Sequence, residues 1–337
     1  MKEITIIEEI PLELNDKSPL EFLEQLHGPT LFVLKGASEK NLFISGLLHG
    51  NEPTGYLALF DLMKKLLSGE LISQFSLLLF LGNVKAAKEG QKFSQRYLDS
   101  QEDFNRIWND KDHPLVCEMD TLLKKYSVLG ALDLHNNSGS NPVYSVFTHK
   151  NQEILDLANF LTDKHLFYEN PRVLTSYFFR KGIPSLTIEC GKRLTQEADQ
   201  AGISMIQKFI MFFENKLNNT QIHVSPGKIY GNPCAVKIKE KINFSTTGDD
   251  CELNIIPDLE DFNFKVMTSG TSFARTKLLD CPLEVLKNDK NVTSDWLFLK
   301  DNEIVSKKKT VILMATTDVL NIKKDCLMYF AEELTDI

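Results

Sequence analysis

No stretch of this chain supplies the roughly 20 consecutive apolar residues that a membrane-spanning helix needs; even QFSLLLFLG is broken by polar residues and glycine. CxxC pairs are also missing. The six cysteines, Cys117, Cys190, Cys234, Cys251, Cys281 and Cys326, are scattered along the sequence, which argues against a four-cysteine zinc site and fits free thiols in a reducing compartment better than a disulfide framework. Positive charge is in short supply. Lys and Arg number 38 against 46 Asp and Glu, for a formal charge of -8, which argues against a general nucleic-acid footprint but allows a small positive pocket for an acidic metabolite. The opening MKEITIIEEI alternates apolar residues but carries Glu3, Glu8 and Glu9 where a secretory leader would need an uninterrupted apolar core. An edge strand and a cytoplasmic location are therefore expected, with no membrane and no nucleic acid as partner.

With 337 residues, 42% of them hydrophobic, the chain can bury a substantial core and is expected to divide into two domains. The apolar segments LFVLKG, NLFISG, SLLLFLGN, VLGALDLH and IPSLTIECG end in glycine or polar residues and alternate with longer helix-compatible segments. That rhythm predicts an α/β fold whose sheet is covered on both faces. Pro53 suits the first turn of a helix through LALFDLMKKLL, and further helices are expected over about 115–126, 151–162 and 195–216. Near residue 215 the polar NKLNNTQ gives way to shorter, turn-separated apolar groups. A first domain over 1–215 and a second, β-rich domain over 216–337 are expected from that change. LKNDKNVTSD is read as an exposed loop.

His49 and Glu52 sit at a predicted strand-to-helix junction, and His135 follows 86 positions after His49 at the end of another apolar run. Two imidazoles and one carboxylate make a suitable three-ligand set for one catalytic zinc ion, leaving a position for water or substrate. The same residues also suit an ordinary junction in which Glu52 favours a helix N-terminus and the histidines close strands. Asp133 lies two residues before His135, so strand periodicity sends both to one face, where the carboxylate can orient the imidazole or simply serve as a turn acceptor. Glu189 ends IPSLTIECG. Beside a zinc-bound water it could act as proton acceptor and donor; otherwise it is a surface carboxylate at a strand terminus. Cys190 points away from it by alternation. SQRYLDSQEDFNRIWND contributes Arg96, Asn105 and Arg106. One arginine could grip a substrate carboxylate and the other polarise an acyl oxygen, although arginines in a charged stretch are commonly solvated.

Taken in order, HGNEPTG, RYLDSQEDFNRIW, DLHN and TIECG closely resemble the motifs of the succinylglutamate desuccinylase/aspartoacylase family, within the wider zinc-carboxypeptidase-like group. The resemblance covers roughly residues 40–195. It implies a mixed sheet flanked by helices, a smaller β-rich C-terminal domain, and zinc held by His49, Glu52 and His135. It further implies Glu189 as general acid/base, Arg96 as the group polarising the scissile carbonyl, and Asn105 with Arg106 as the anchor for a substrate carboxylate. The implied activity is hydrolysis of small N-acyl acidic amino acids, with N-succinylglutamate giving succinate and glutamate. Two departures bear on the substrate-binding wall: the Arg96-to-Asn105 spacing is two residues longer than in the form RYIDCDLNR, and Phe104 replaces its leucine. For the family's additional basic residue near the last catalytic strand, Arg180 is the candidate. A metallocarboxypeptidase acting on C-terminal peptide residues could use the same motifs, and a noncatalytic carboxylate-binding protein could retain the fold. A homodimer remains open, since apolar composition locates no interface.

Overall fold

The computed structural model describes residues 3–222, 224–248 and 251–335. The chain forms two compact units: one comprises residues 1–136, 143–165 and 169–227, the other 137–142, 166–168 and 228–337. The change of texture near residue 215 coincides with the end of a 22-residue helix at Leu217, and the first unit continues to Gly227.

The first unit is a layered α/β structure. The elements up to Leu217, in chain order, are β1 (Thr5–Ile7), α1 (Pro19–Gln25), β2 (Thr30–Leu34), β3 (Ser38–Gly46), α2 (Thr54–Ser68), β4 (Phe75–Leu81), α3 (Val84–Lys88), α4 (Pro114–Leu123), β5 (Ser127–Asn137), β6 (Tyr144–Phe147), α5 (Gln152–Leu161), β7 (Lys164–Phe167), α6 (Leu174–Phe179), β8 (Ser185–Lys192) and α7 (Gln196–Leu217). The strands lie in the order β1-β2-β4-β3-β5-β8-β6-β7. Strand β3 runs parallel to both β4 and β5, while β2 is antiparallel to β4 and β6 antiparallel to β8. The sheet is thus mixed. Its central strands are buried on both faces, which is why LFISG and SLLLFL read as continuous apolar runs instead of alternating ones.

On one face, Phe43, Leu78 and Phe80 pack with Leu115, Val116 and Met119 of α4 and with Tyr177 and Phe178 of α6. On the other, Gly130 of β5 leaves room for the Phe213 ring of α7, since a Cβ there would lie 2.1 Å from its edge. Helix α1 begins with a complete capping box, Ser18 accepting from Glu21 N while the Glu21 carboxylate accepts from Ser18 N. Helix α2 stops at Gly69, whose φ of 74° is the left-handed conformation that a helix C-terminus favours.

The second unit is rich in β structure. Its core joins Val236, Val285, Ile312, Met328 and Phe330, with the Trp296 ring stacked on Phe330 at 5.2 Å. A five-stranded sheet lies within it. The segment expected as an exposed loop is instead a hairpin: Leu283–Lys287 pairs antiparallel with Lys290–Asn291. Asn288 and Asp289 turn it with φ of 49° and 62°, the successive positive values that a two-residue hairpin loop demands. No helix among the described residues is long and apolar enough to cross a membrane.

Candidate active site

Strand order brings three distant segments together. β3, β5 and β8 are neighbours, so the turn after β3 carrying His49 and Glu52, the end of β5 carrying His135, and Glu189 on β8 meet at one edge of the first unit. Leaving β3, the chain turns at Leu47, whose φ of 56° is costly for a residue with a Cβ. Leu47 is fully buried, and its carbonyl accepts from Asn83 N at 2.5 Å, which holds the turn. The start of α2 can lie against β3 because Gly46 and Gly55 face each other: a Cβ on Gly46 would sit 2.7 Å from Gly55 C.

His49, Glu52 and His135 are all buried, and one potential ligand atom from each lies within 4.8 Å of the others. His49 Nδ1 is 2.8 Å from Glu52 Oε1, and His135 Nδ1 is 2.7 Å from Glu52 Oε2. The opposite ring nitrogens meet other carboxylates: His135 Nε2 reaches Asp133 Oδ2 at 2.8 Å, and His49 Nε2 reaches Asp103 Oδ1 at 3.0 Å. Asp133 is itself fixed by Ser45 Oγ, which donates to Oδ1 at 2.7 Å from the paired position on β3. With a carboxylate at each Nε2, a neutral ring would carry its proton there and turn its Nδ1 lone pair toward the Glu52 oxygens, where a cation could take the place of a proton. This donor set fits a divalent cation of the zinc type.

Electrostatics sharpen the picture. Burial alone would raise the Glu52 carboxyl, but the charges of His49 and His135 overcome it and hold the group well below the usual carboxylate range. Burial would lower His135, yet Asp133 and Glu52 raise it well above the ordinary imidazole range. A site that stabilises positive charge between His135 Nδ1 and Glu52 suits a cation as well as a proton. Glu189 goes the other way: burial pushes it up to about 7, with the charges of Glu52 and Asp133 adding to the rise and those of His135 and Arg96 opposing it.

The arginine segment also reaches this edge. Arg96 Nη1 lies 3.4 Å from Glu52 Oε1 and its Nη2 3.5 Å from Asp103 Oδ2. Asn105 is buried, donating its backbone N–H to Asp103 Oδ1 at 2.8 Å. Arg106 Nη1 donates to the Asn105 carbonyl at 2.7 Å. The Arg180 guanidinium donates to the carbonyls of Pro171 and Trp108 at 3.0 and 2.8 Å, bracing the loop before α6.

The catalytic-domain model for succinylglutamate desuccinylase/aspartoacylase matches residues 38–213, just over half of the 337 residues. The chain belongs to the succinylglutamate desuccinylase/aspartoacylase family. Both activities in that family description are hydrolytic removals of an acyl group from an amino acid. Solved structures share the fold of this family member. Murine aminoacylase 3 is 19% identical with a TM-score of 0.58, over 87% of this chain and 95% of that one. A succinylglutamate desuccinylase/aspartoacylase from Rhodobacter sphaeroides is 14% identical with a TM-score of 0.58, over 90% and 88%. The succinylglutamate desuccinylase of Vibrio parahaemolyticus is 16% identical with a TM-score of 0.54, over 89% and 84%. No curated protein matches the chain by sequence.

Two residues of this family member escaped the reading of its sequence. Asp103 touches His49, Arg96 and the backbone of Asn105 at once. The i-to-i+2 bond to Asn105 N is an Asx turn, a signal present in the Asp-x-Asn pattern. Asn136 follows His135 directly and points to the opposite side of the strand, where it bonds to Thr54 and Gly191. Its signal is an amide directly after His135, at the polar end of a strand that begins apolar.

Proposed function

We propose that this protein is a zinc-dependent amidohydrolase of small N-acyl acidic amino acids, with N-succinylglutamate as substrate and succinate and glutamate as products. The observation that carries the reading is the buried His49–Glu52–His135 donor set with a carboxyl at Glu189 whose proton affinity sits near neutrality. His49 Nδ1, His135 Nδ1 and a Glu52 oxygen would hold the metal. Zinc bound there supplies a Lewis acid that lowers the pKa of a water molecule and polarises the acyl oxygen.

Glu189 takes the proton as water oxygen bonds to the acyl carbon. With the amide C–N bond breaking, the same carboxyl returns a proton to the departing nitrogen, and a carboxylic acid and a free amine result. A carboxyl raised to about 7 exchanges a proton in both directions at neutral pH. Arg96, already directed at Glu52 and Asp103, is positioned to meet negative charge developing on the acyl oxygen. Asn105 and Arg106 anchor the substrate α-carboxylate, for which the planar guanidinium offers two parallel donors. We assign Arg180 to bracing the loop, because its donors already serve two main-chain carbonyls.

Metal analysis coupled to a substrate panel tests this reading. About one zinc per chain is expected, with N-succinylglutamate cleaved in preference to N-acetylaspartate. Zinc absent from the triad in an anomalous-scattering map overturns the metal assignment. Cleavage of C-terminal peptide bonds only would make the protein a carboxypeptidase.

A further inference from the structure

The hydrolytic chemistry requires Glu189 to be held at a fixed place relative to the Glu52–histidine cluster, yet these groups lie on separate segments of chain. The Asn136 side chain spans them. Its Oδ1 accepts from Thr54 N at 3.1 Å, at the first residue of α2 and two positions after Glu52. Its Nδ2 donates to Gly191 O at 3.3 Å, two positions after Glu189, and to Thr54 Oγ1 at 3.0 Å. Thr54 Oγ1 donates onward to Asp199 Oδ1 at 2.8 Å, near the start of α7.

These bonds fix the orientation of the amide. Thr54 N is only a donor and Gly191 O only an acceptor, so exchanging the amide oxygen and nitrogen would break both contacts. Asn136 is 5% exposed and Thr54 fully buried, so water is poorly placed to replace the lost bonds. Gly191 has φ of 101°, a conformation open to glycine and strained for residues with a Cβ, so its carbonyl direction depends on what holds it. The Asn136 backbone N–H adds a contact to Glu52 Oε2 at 3.2 Å. One residue is therefore bonded to the Glu52 segment and the Glu189 segment, while being adjacent in sequence to His135.

We propose that Asn136 is a positioning residue for the hydrolytic reaction, setting the Glu189 strand in register with the cluster of His49, Glu52 and His135 through its bond to Gly191. The inference rests on the acid/base role given to Glu189 above. It predicts a division of effects: the bond to Gly191 governs proton transfer, and the side bond to Thr54 Oγ1 is secondary.

The test measures kcat, KM and bound zinc for wild type, Asn136→Ala and Thr54→Val with N-succinylglutamate. Asn136→Ala should lower kcat by about 10- to 100-fold, the scale of small misplacements of reacting groups, with KM changed less than about threefold and zinc content unchanged, because the contact to Glu52 Oε2 is made by the backbone N–H that alanine keeps. Thr54→Val keeps its backbone N–H and the Gly191 bond, so kcat should fall by less than about threefold. If the alanine variant does not accumulate as folded protein, Asn136→Ser, too short to reach Gly191, is held to the same criteria. Unchanged kcat in a zinc-loaded position-136 variant overturns the proposal, as does a loss that tracks zinc content or appears equally in Thr54→Val. Wild type without activity toward any acyl amino acid would instead overturn the function on which the proposal rests.

Discussion

Asp103 Oδ1 lies 3.0 Å from His49 Nε2, and the same oxygen accepts from Asn105 N at 2.8 Å. A single carboxylate thus orients a proposed metal ligand and shapes the loop that presents Arg106. Burial would raise its pKa, but His49, Arg96 and Arg106 hold it far below the ordinary carboxylate range, which favours the ionised acceptor. Asp103→Ala removes that acceptor. Zinc affinity, measured by competition with a chelator, should fall by about 10- to 100-fold. Unaltered affinity would show that His49 needs no orienting partner.

Glu189→Gln keeps the size of the side chain but cannot exchange a proton. The buried position that raises the carboxyl to about 7 accommodates a neutral amide without the desolvation cost of a charge. Hydrolysis should fall on the order of 10²- to 10⁴-fold, while zinc content stays that of wild type. Single-turnover rates on metal-loaded protein measure the chemical step directly, and near-normal rates there would remove Glu189 from it.

Arg106 spends one donor on the Asn105 carbonyl, which fixes the plane of the guanidinium and leaves other donors of the fork for a ligand. Arg106→Lys preserves charge but loses that plane. Wild type should prefer N-succinylglutamate over an analogue lacking the α-carboxylate, and the lysine variant should lose much of that preference along with kcat/KM. Equal relative efficiencies in both enzymes across acetyl, succinyl, aspartate and glutamate combinations would rule out the anchor.

What could be read from the sequence was governed by periodicity and by local signals. LALFDLMKKLL carries helical spacing and a preceding proline, and α2 forms over Thr54–Ser68 with Pro53 at its N-cap. Apolar runs locate β3, β4, β5 and β8 because strands buried on both faces leave few polar interruptions. The nearness of His49, Glu52 and His135 could be argued because strand ends are common meeting points in α/β sheets. Asp103, by contrast, lies in a loop without periodicity, and its contact with His49 spans 54 residues. The main-chain partners of Arg180 were equally hidden, since nothing local in the sequence directs an arginine to the Pro171 and Trp108 carbonyls. Within LKNDKNVTSD, the Asn288–Asp289 pair was a hairpin signal, its two residues tolerating the positive φ of the turn.

His165 gives a pH dependence separate from the proposed metal ligands. The ring is fully buried. Asn159 Oδ1 accepts from Gly227 N at 2.8 Å, which identifies that atom as the oxygen, and His165 Nε2 lies 3.0 Å from it as donor. Nδ1 then accepts from Ser145 Oγ at 2.8 Å. The neutral ring is therefore satisfied at both nitrogens, and burial depresses its pKa to about 4, with Asp163 opposing weakly. An unfolded chain returns the imidazole to about 6.5. Above that value neither state binds the proton and the contribution to stability is complete. Between about 6.5 and 4 the unfolded state binds more protons, so stability falls as pH falls, by on the order of 2 kcal/mol on reaching pH 5. His165→Gln removes the titration while keeping a polar side chain. Denaturant unfolding at pH 7.5 and pH 5 should show wild type losing more stability than the variant by about that amount, and parallel losses in the two proteins would mean that His165 is not titrating between its folded and unfolded states.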